Sequence, residues 1–257
     1  MSHSAWVAGR FLSYEEAQLD SAGWPTGTGL FETIKTVDGQ PWALSRHMRR
    51  ALNSARRNDQ AFPNEELIRR AVAESIAANP FAIGRLRLLF GLDGSLRVTH
   101  QEYLELKTSA NLGIRQMTDD VPTPVEKRYP YTHNLRILAE AKSAGFDDYV
   151  LVNRDGFITE TAIANLVFQL NGEWITPPLS DGVLPGVMRA LLVEKNGVVV
   201  RQIRANQLNQ IESGFVVSSL KIAQPIGRIG DQTLTITAES EQMRAEFAAT
   251  ALATSVG

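Results

Sequence analysis

The sequence contains no cysteine among its 257 residues. This absence excludes disulfide bonds, thiolate metal sites and cysteine nucleophiles together. Histidine is also scarce: the four are His3, His47, His100 and His133, and no two have the spacing of a metal-binding pair on a helix. We therefore expect no metal site.

A strong charge imbalance and long apolar runs are missing as well. The net charge is -2, so nothing indicates a nucleic acid or an anionic membrane as a partner. No apolar run approaches the roughly 20 residues that span a bilayer. The first residues, "MSHSAWVAGRFLSYEE", lack the basic and apolar segments of a signal peptide. We expect a cytoplasmic protein with no membrane partner.

Hydrophobic residues make up 44% of the chain, which is long enough for one large domain or two small ones. The first half reads as strands with two helices together, an α+β pattern. The predicted helices are 44–58 and 64–79, the second with Asn64 as its cap. The predicted strands are 29–37, 84–91, 94–103 and 111–117.

The second half begins with a proline-rich stretch. Residues 119–133, "DDVPTPVEKRYPYTH", contain three prolines and are interpreted as an interdomain loop between lobes 1–118 and 134–257. Residues 156–178 read as strand, turn, strand. The remaining predictions are a helix at 134–145 that stops at Gly145, a strand at 148–153, a helix from about Val187, a strand leading into a loop within 213–227, and a helix at 238–251.

One carboxylate and one turn suggest a site. Glu160 lies in a predicted strand near Ile158 and Leu166, where a carboxylate is costly to bury unless it meets a cation. The turn "GVLPGVMRALLVEKNG" opens a helix, and the first N–H groups of a helix, here those of Val187 and Met188, attract phosphate. Any loop-to-helix junction has such groups, so the turn alone is weak support for a site.

Four blocks occur in order over about residues 20–230: "GLFETIK", "RHMRRALNSA", "EAKSAGFDDYVLVNRDGFITETAIANLVF" and "GVLPGVMR". Together they resemble the class IV aminotransferase family of pyridoxal-phosphate enzymes, which have fold type IV. The resemblance implies an α+β, two-lobed fold with a smaller N-terminal α/β sandwich lobe. It also implies a larger C-terminal lobe with a strand-rich, barrel-like core, pyridoxal 5'-phosphate as cofactor, and a homodimer.

The resemblance implies a lysine that carries the cofactor as an imine. Counting back from Lys142 without a gap gives Lys127, although this chain reads "KRYP" where the family has K-x-x-N. Aligning Asn134 with the family asparagine instead puts Tyr131 at the lysine position, and a tyrosine cannot form an imine. Lys142 matches the family's helix lysine. We therefore assign Lys127 as the catalytic, cofactor-binding lysine.

Other cofactor contacts follow from the same resemblance. Arg50 matches the arginine that grips the phosphate, which suits a guanidinium fork. Glu160 matches the carboxylate that pairs with the protonated pyridine nitrogen, so that the ring acts as an electron sink. The remaining cofactor-binding positions are Val187, Met188, Ser219 and Leu220 for the phosphate and Tyr131 for the phenolic oxygen.

The reaction stays open between two types. The stretch "SSLKIAQPIG" is more similar to the lyases than to the branched-chain aminotransferases, which favours aminodeoxychorismate lyase, an enzyme that releases pyruvate and 4-aminobenzoate. Lys221 and Arg87 are then candidate substrate-binding residues, and Arg85 shares the strand face of Arg87. The alternatives are a branched-chain or D-amino-acid aminotransferase acting on another small-molecule substrate, and a non-catalytic protein that binds without turnover.

Overall fold

The computed structural model describes residues 4–118 and 125–253. The chain forms two compact units. The first contains residues 4–104 with 126–131, and the second contains residues 105–118, 125 and 132–253. The mixed α+β class predicted from the sequence is confirmed.

The first unit is one antiparallel sheet covered on one face by two helices. The strand order is β2-β1-β6-β5-β3-β4, and β8 pairs with β3. The bounds are β1 Ser4–Val7, β2 Arg10–Ser13, β3 Gly29–Val37, β4 Gln40–Pro41, α1 Leu44–Arg57, α2 Glu65–Ala78, β5 Ile83–Gly91, β6 Leu96–Glu102 and β8 Arg128–Tyr129.

The two helices form where the sequence predicted them. Asn64 caps α2, since its side chain accepts a hydrogen bond from the Leu67 N–H at 2.8 Å. Leu30 and Ile34 of β3 are buried on the helix side, in one core cluster with Met48 of α1. Side chains alternate along a strand, so Phe31 belongs to the opposite face, where a second cluster forms with the loops before β3.

The second unit is built on a mixed sheet in the order β12-β11-β10-β13-β14-β7-β9, with β15 paired to β14. Its interior strand β10 is buried along its whole length. The bounds are β7 Ala110–Gln116, α3 Thr132–Ser143, β9 Asp148–Val152, β10 Asn165–Leu170, β11 Glu173–Thr176, α4 Val187–Lys195, β12 Val199–Val200, β13 Ser213–Val217, β14 Gln224–Ile229, β15 Gln232–Thr233 and α5 Ala238–Ala253.

Three details differ from the sequence reading. Strand β7 pairs in parallel with β9 and β14, so it belongs to the second unit although the sequence reading placed it in lobe 1–118. Residues 157–164 contain only isolated bridges, and the regular strand begins at Asn165. Residues 213–227 were predicted as a strand leading into a loop; the strand and the turn are present, and a second strand begins at Gln224. Residues 119–124 of the predicted interdomain loop lie outside the described residues.

Among the described residues, no helix is long and apolar enough to cross a membrane. The same residues contain no group of three or more histidine, aspartate or glutamate side chains arranged to hold a metal ion.

Candidate active site

A buried ion pair organises the helix side of the first unit. Glu32 of β3 is 1% exposed and accepts hydrogen bonds from Arg50 Nε at 2.8 Å and Arg50 Nη2 at 2.5 Å. His47, one turn before Arg50 on α1, lies with its Nδ1 2.7 Å from the same carboxylate. Because a carboxylate only accepts, His47 Nδ1 carries the proton and donates it. The guanidinium of Arg50 therefore has a fixed orientation.

The electrostatics of this cluster favour a charged Glu32 and a neutral His47. Burial opposes ionisation of Glu32, but Arg50 and His47 outweigh it and lower the pKa of Glu32 to about 2. Burial lowers the pKa of His47, and the charges of Arg50 and Lys127 lower it further, against the opposing effect of Glu32. Arg50 is thus the permanent cation of the pair. Lys127 is close enough to the cluster for its charge to lower the pKa of His47.

Lys127 lies directly before β8, at the position opposite Phe31. Its carbonyl accepts a hydrogen bond from the Phe31 N–H at 2.9 Å, which continues the pairing of β8 with β3. Its Nζ lies 4.5 Å from the centroid of the Phe31 ring and 5.1 Å from that of Tyr131. Two of the sequence-predicted residues, Lys127 and Tyr131, are therefore brought together. An ammonium over aromatic faces is stabilised by the ring quadrupoles.

Arg87 lies on the same sheet face as Phe31. Its strand position is opposite Thr33, two residues beyond Phe31 on β3, and Arg85 is opposite Lys35. Side chains opposite each other in an antiparallel ladder share a face, so Arg85 and Arg87 share one, as the sequence predicted. The helix-side Glu32 cluster is on the other face.

In the second unit, Glu160 is held by neutral donors. Its Oε2 accepts from Asn165 Nδ2 at 2.8 Å and from the Leu184 N–H at 3.2 Å. The backbone turns at Thr161, whose hydroxyl accepts from the Ala164 N–H at 3.1 Å. The prediction that Glu160 lies within a strand is therefore wrong, because this turn interrupts the strand before β10 begins. Burial lowers the pKa of the Arg189 guanidinium on α4, and the negative charge of Glu160 opposes that shift.

Helix α4 begins as the sequence predicted, at Val187. Its cap residue, Gly186, has extended backbone angles and supplies no side-chain hydrogen bond. The first N–H groups of the helix, those of Val187 and Met188, have no partner within the helix. A β-carbon at Gly186 would overlap Asn165 Oδ1, so only glycine allows Asn165 to approach both this turn and Glu160.

Ser219 and Leu220 lie in a tight turn after β13. The Ile222 N–H donates to the Ser218 carbonyl at 2.8 Å, and the Lys221 N–H donates to Ser218 Oγ at 3.2 Å. Lys221 is half-buried. Burial lowers the pKa of its amine, and the attraction of Asp148 opposes that shift. Its predicted contact with a substrate carboxylate stays a prediction.

The comparisons with known proteins agree with this architecture. The model of the family described as "Amino-transferase class IV" matches residues 29–229, well over half of the chain. The chain belongs to the class IV aminotransferase family. The match contains the residues described above from β3 to β14, including Glu32, Lys127 and Glu160.

The similar proteins are named for different activities. A Schizosaccharomyces pombe protein named "Putative aminodeoxychorismate lyase" is 29% identical over 180 residues, covering 66% of this chain and 75% of that protein. The Mycobacterium tuberculosis "Bifunctional aminodeoxychorismate lyase / D-amino acid transaminase" is 24% identical over 242 residues, covering 81% and 84%. A crystal structure of a branched-chain aminotransferase from Thermoproteus uzoniensis superposes with a TM-score of 0.82 at 22% identity, covering 99% and 96%.

Sequence reasoning missed the partners that hold the named residues in place. Glu32 could have been found, because strand alternation puts it on the apolar face of Leu30 and Ile34, and His47 and Arg50 are three apart on one helix face. Asn165 gives no such signal, since its contacts with Glu160 depend on the turn at Thr161.

Proposed function

We propose that this chain is a pyridoxal 5'-phosphate-dependent enzyme that acts as an aminodeoxychorismate lyase, releasing pyruvate and 4-aminobenzoate. The observation that carries the proposal is the position of Lys127. Its amine lies over the rings of Phe31 and Tyr131, and its charge lowers the pKa of His47 in the buried Glu32 cluster. The chain that contains this lysine belongs to the class IV aminotransferase family.

The side chains of the first unit fit the aldehyde and phosphate of this cofactor. Lys127 supplies a primary amine, which is the group that bonds to the aldehyde. Arg50 supplies a guanidinium whose orientation Glu32 fixes. When the substrate has taken the place of the Lys127 amine, Lys127 Nζ removes a proton from the reacting carbon of the substrate. The same amine then donates that proton to a different atom. The Phe31 and Tyr131 rings restrict the position of the amine.

The second unit also contains side chains that suit groups of this cofactor. When bound, pyridoxal phosphate supplies a ring that accepts the electron pair released at the reacting carbon. Glu160 would hold a proton on the ring nitrogen, and Asn165 and the Leu184 N–H fix the carboxylate for that role. The uncapped start of α4 at Val187 and Met188, with the turn containing Ser219 and Leu220, would bind the phosphate.

The choice of the lyase reaction rests on the similarity to two relatives named for it. An amino-acid aminotransferase of branched-chain or D-amino-acid type is the second candidate. It is favoured by the D-amino-acid activity in the name of the Mycobacterium tuberculosis relative. Both reactions begin with proton removal by Lys127, so the cofactor-binding residues do not distinguish them.

The experiment is to supply aminodeoxychorismate to the purified holoenzyme, and separately L- and D-amino acids with 2-oxoglutarate. We expect the wild type to release 4-aminobenzoate and pyruvate in equal amounts. With the Lys127→Ala variant, these products should form no faster than in the absence of enzyme. Turnover of amino acids without release of 4-aminobenzoate would replace the lyase assignment by an aminotransferase. A protein that binds pyridoxal phosphate and turns over neither set would be the non-catalytic alternative.

We also propose that the protein is a cytoplasmic homodimer, as the family resemblance and the composition imply. Light scattering coupled to size-exclusion chromatography should give twice the chain mass of 28.3 kDa. A single-chain mass at micromolar concentration would contradict the dimer.

A further inference from the structure

Residues 160–164 form a buried turn that lies outside the regular strands. The Thr161 N–H donates to the Ala164 carbonyl at 2.8 Å, and the Thr161 hydroxyl accepts from the Ala164 N–H at 3.1 Å. Ala162, in the middle of this turn, is 1% exposed. Because buried backbone groups must be hydrogen-bonded, the N–H and the carbonyl of Ala162 need partners within the fold.

Asp148, the first residue of β9, binds the N–H of Ala162. Its Oδ1 accepts from the Ala162 N–H at 3.1 Å and from the Tyr149 N–H at 2.8 Å. Strand β9 pairs with β7 along its whole length, so Asp148 lies on a firm support. The hydrogen bond to Ala162 therefore ties the turn to the sheet.

Asn134 of α3 binds the carbonyl of the same residue. Its Nδ2 donates to the Ala162 carbonyl at 2.7 Å. The Leu151 N–H of β9 also donates to the Glu160 carbonyl at 2.9 Å. Ala162 is thus held from two sides, by a strand and by a helix, and the backbone of Glu160 is held by the same strand.

The acceptor in β9 is a buried carboxylate, which is costly to keep. Asp148 is 1% exposed, and its Oδ2 has no hydrogen-bond partner within residues 4–118 and 125–253. Burial raises the pKa of Asp148, while its hydrogen bonds and the charge of Lys221 oppose that shift. An N–H binds a charged acceptor more strongly than a neutral one, so Asp148 holds Ala162 more firmly than an amide would.

Glu160 is fixed at both ends by these contacts. Asn165 and the Leu184 N–H bind the carboxylate end of its side chain, and the 160–164 turn fixes its backbone. A misplacement of about 1 Å, caused far from the reacting atoms, can slow a reaction by about 100-fold. The residues that hold the turn are therefore able to affect what Glu160 does.

We propose that Asp148 and Asn134 are positioning residues for Glu160. By holding Ala162 from two sides, they keep the Glu160 carboxylate in place for its bond to the ring nitrogen of the cofactor. Both act through Glu160, so neither is a catalytic residue. This inference rests on the proposed function for the role of Glu160 toward the ring nitrogen.

The test is a pH titration of the ring nitrogen by NMR, on protein loaded with isotope-labelled pyridoxal phosphate and without substrate. We expect the wild-type ring nitrogen to keep its proton to a higher pH than in Glu160→Gln. Asp148→Ala and Asn134→Ala should each lower the titration midpoint by about one pH unit, a tenfold loss of preference for the protonated ring. Asp148→Asn keeps an acceptor and loses the charge, so its midpoint should lie between those of Asp148→Ala and the wild type.

A double variant separates positioning from other effects of the substitution. If Asp148 acts through Glu160, Asp148→Ala should have no further effect on the midpoint in the Glu160→Gln protein. An equal lowering in both backgrounds would overturn the proposal, because a direct effect of the Asp148 charge on the ring would persist without Glu160. Asn134→Ala in the same two backgrounds provides the test if Asp148→Ala does not fold.

Asp147→Ala is the matched control. Asp147 directly precedes β9, its Oδ2 accepts from the Asn111 N–H of β7 at 2.8 Å, and its charge acts on Lys221 as that of Asp148 does. Its removal costs a similar hydrogen bond and the same charge, at β7 instead of at the turn. We expect the wild-type midpoint from Asp147→Ala. A wild-type midpoint in both Asp148→Ala and Asn134→Ala, or an equal lowering by Asp147→Ala, would overturn the proposal.

Failure of the proposed function has a separate readout, because the titration uses no substrate. If the midpoints change as expected but aminodeoxychorismate is not converted, the positioning role stands and the lyase assignment does not. If the wild type converts aminodeoxychorismate but the Asp148 and Asn134 variants keep the wild-type midpoint, the function stands and the positioning role does not.

Discussion

Arg50 shows how one residue's role depends on a neighbour, Glu32, to which the family resemblance assigned no role. Glu32 orients the guanidinium from a fully buried position, and Arg50 remains 13% exposed. We expect Arg50→Ala to weaken pyridoxal-phosphate affinity by about one to two decades, the value of a charge-assisted hydrogen bond. Excess cofactor should restore part of the activity. Titration of the apoenzyme with cofactor measures the affinity, and Arg49→Ala, at an exposed position of the same helix, is the control. An unchanged affinity in Arg50→Ala would show that Arg50 does not bind the phosphate.

Glu160 allows a sharper test because glutamine preserves its local contacts. A glutamine Oε still accepts from Asn165 Nδ2 and the Leu184 N–H, so the fold and cofactor binding should survive. Glutamine is neutral, so it no longer stabilises a positively charged ring nitrogen. Removal of the α-proton of the substrate should therefore slow by at least about 100-fold. Exchange of the α-deuterium of a substrate amino acid with solvent isolates this step.

The control for this experiment is Glu173→Gln, which alters an exposed ion pair with Arg201 in the same unit. We expect Glu173→Gln to exchange the α-deuterium of the substrate at the wild-type rate. Wild-type exchange from Glu160→Gln with cofactor bound would mean that Glu160 does not face the ring nitrogen.

The named residues were predictable to different degrees. Arg50, Lys127 and Glu160 could be proposed because short motifs carry them. Period-two alternation alone predicted that Arg85 and Arg87 share one face of their strand, as they do. The partners Asn165 and Asp148 could not be predicted, since their contacts depend on turns that bring separate parts of the chain together.

At the level of elements, the helices were predicted more accurately than the strands. Helix α2 begins one residue after its predicted cap, because apolar periodicity and capping are both local signals. The strand reading of 157–170 was wrong over its first half. Thr161 folds the chain back with its hydroxyl, a local hydrogen bond that competes with strand pairing, and the apolar residues around it conceal the turn.

The turn before α4 yields a prediction for Gly186→Ala. The backbone angles there are ordinary for alanine, so the expected effect is steric. The added β-carbon would displace Asn165, which holds Glu160. We expect weaker cofactor binding, by about 10-fold if one charge-assisted hydrogen bond is lost, and a changed cofactor absorbance.

The control is Gly197→Ala, at the end of the same helix, where φ is +67° and no atom would touch the new β-carbon. Its strain should lower the melting temperature without changing cofactor affinity. Equal cofactor affinity in Gly186→Ala and the wild type would show that the Gly186–Asn165 contact does not support the site.

For the whole molecule, the order of motifs predicted the fold, but the boundary between units was misplaced. Residues 110–116 follow the strands of the first unit in sequence, which made them look like its last strand. Their parallel pairing with β9 joins them to the second unit instead. Nothing local in a strand identifies its partner, so sequence patterns give the element and leave the pairing undetermined.

The acid stability of the protein should depend on Glu32. Its pKa lies at about 2 in the folded chain against 4.5 ordinarily, so the unfolded chain binds more protons between these values. The contribution of Glu32 is therefore complete above about pH 4.5 and is lost as the pH falls toward 2, by on the order of 3 kcal/mol. The free energies of unfolding of the wild type and Glu32→Gln, from urea titrations, should converge over this range; parallel curves would show that the Glu32 pKa is not lowered by folding.

Lys127 is the residue that we propose holds pyridoxal phosphate, although the chain lacks the K-x-x-N motif around it. Borohydride reduction of the holoenzyme fixes the cofactor permanently to whichever lysine carries it, and peptide mass spectrometry then identifies that residue. We predict a single modified peptide containing Lys127, absent from Lys127→Arg protein treated in the same way. A pyridoxyl group on Lys142 or Lys221, or on no lysine at all, would contradict the account.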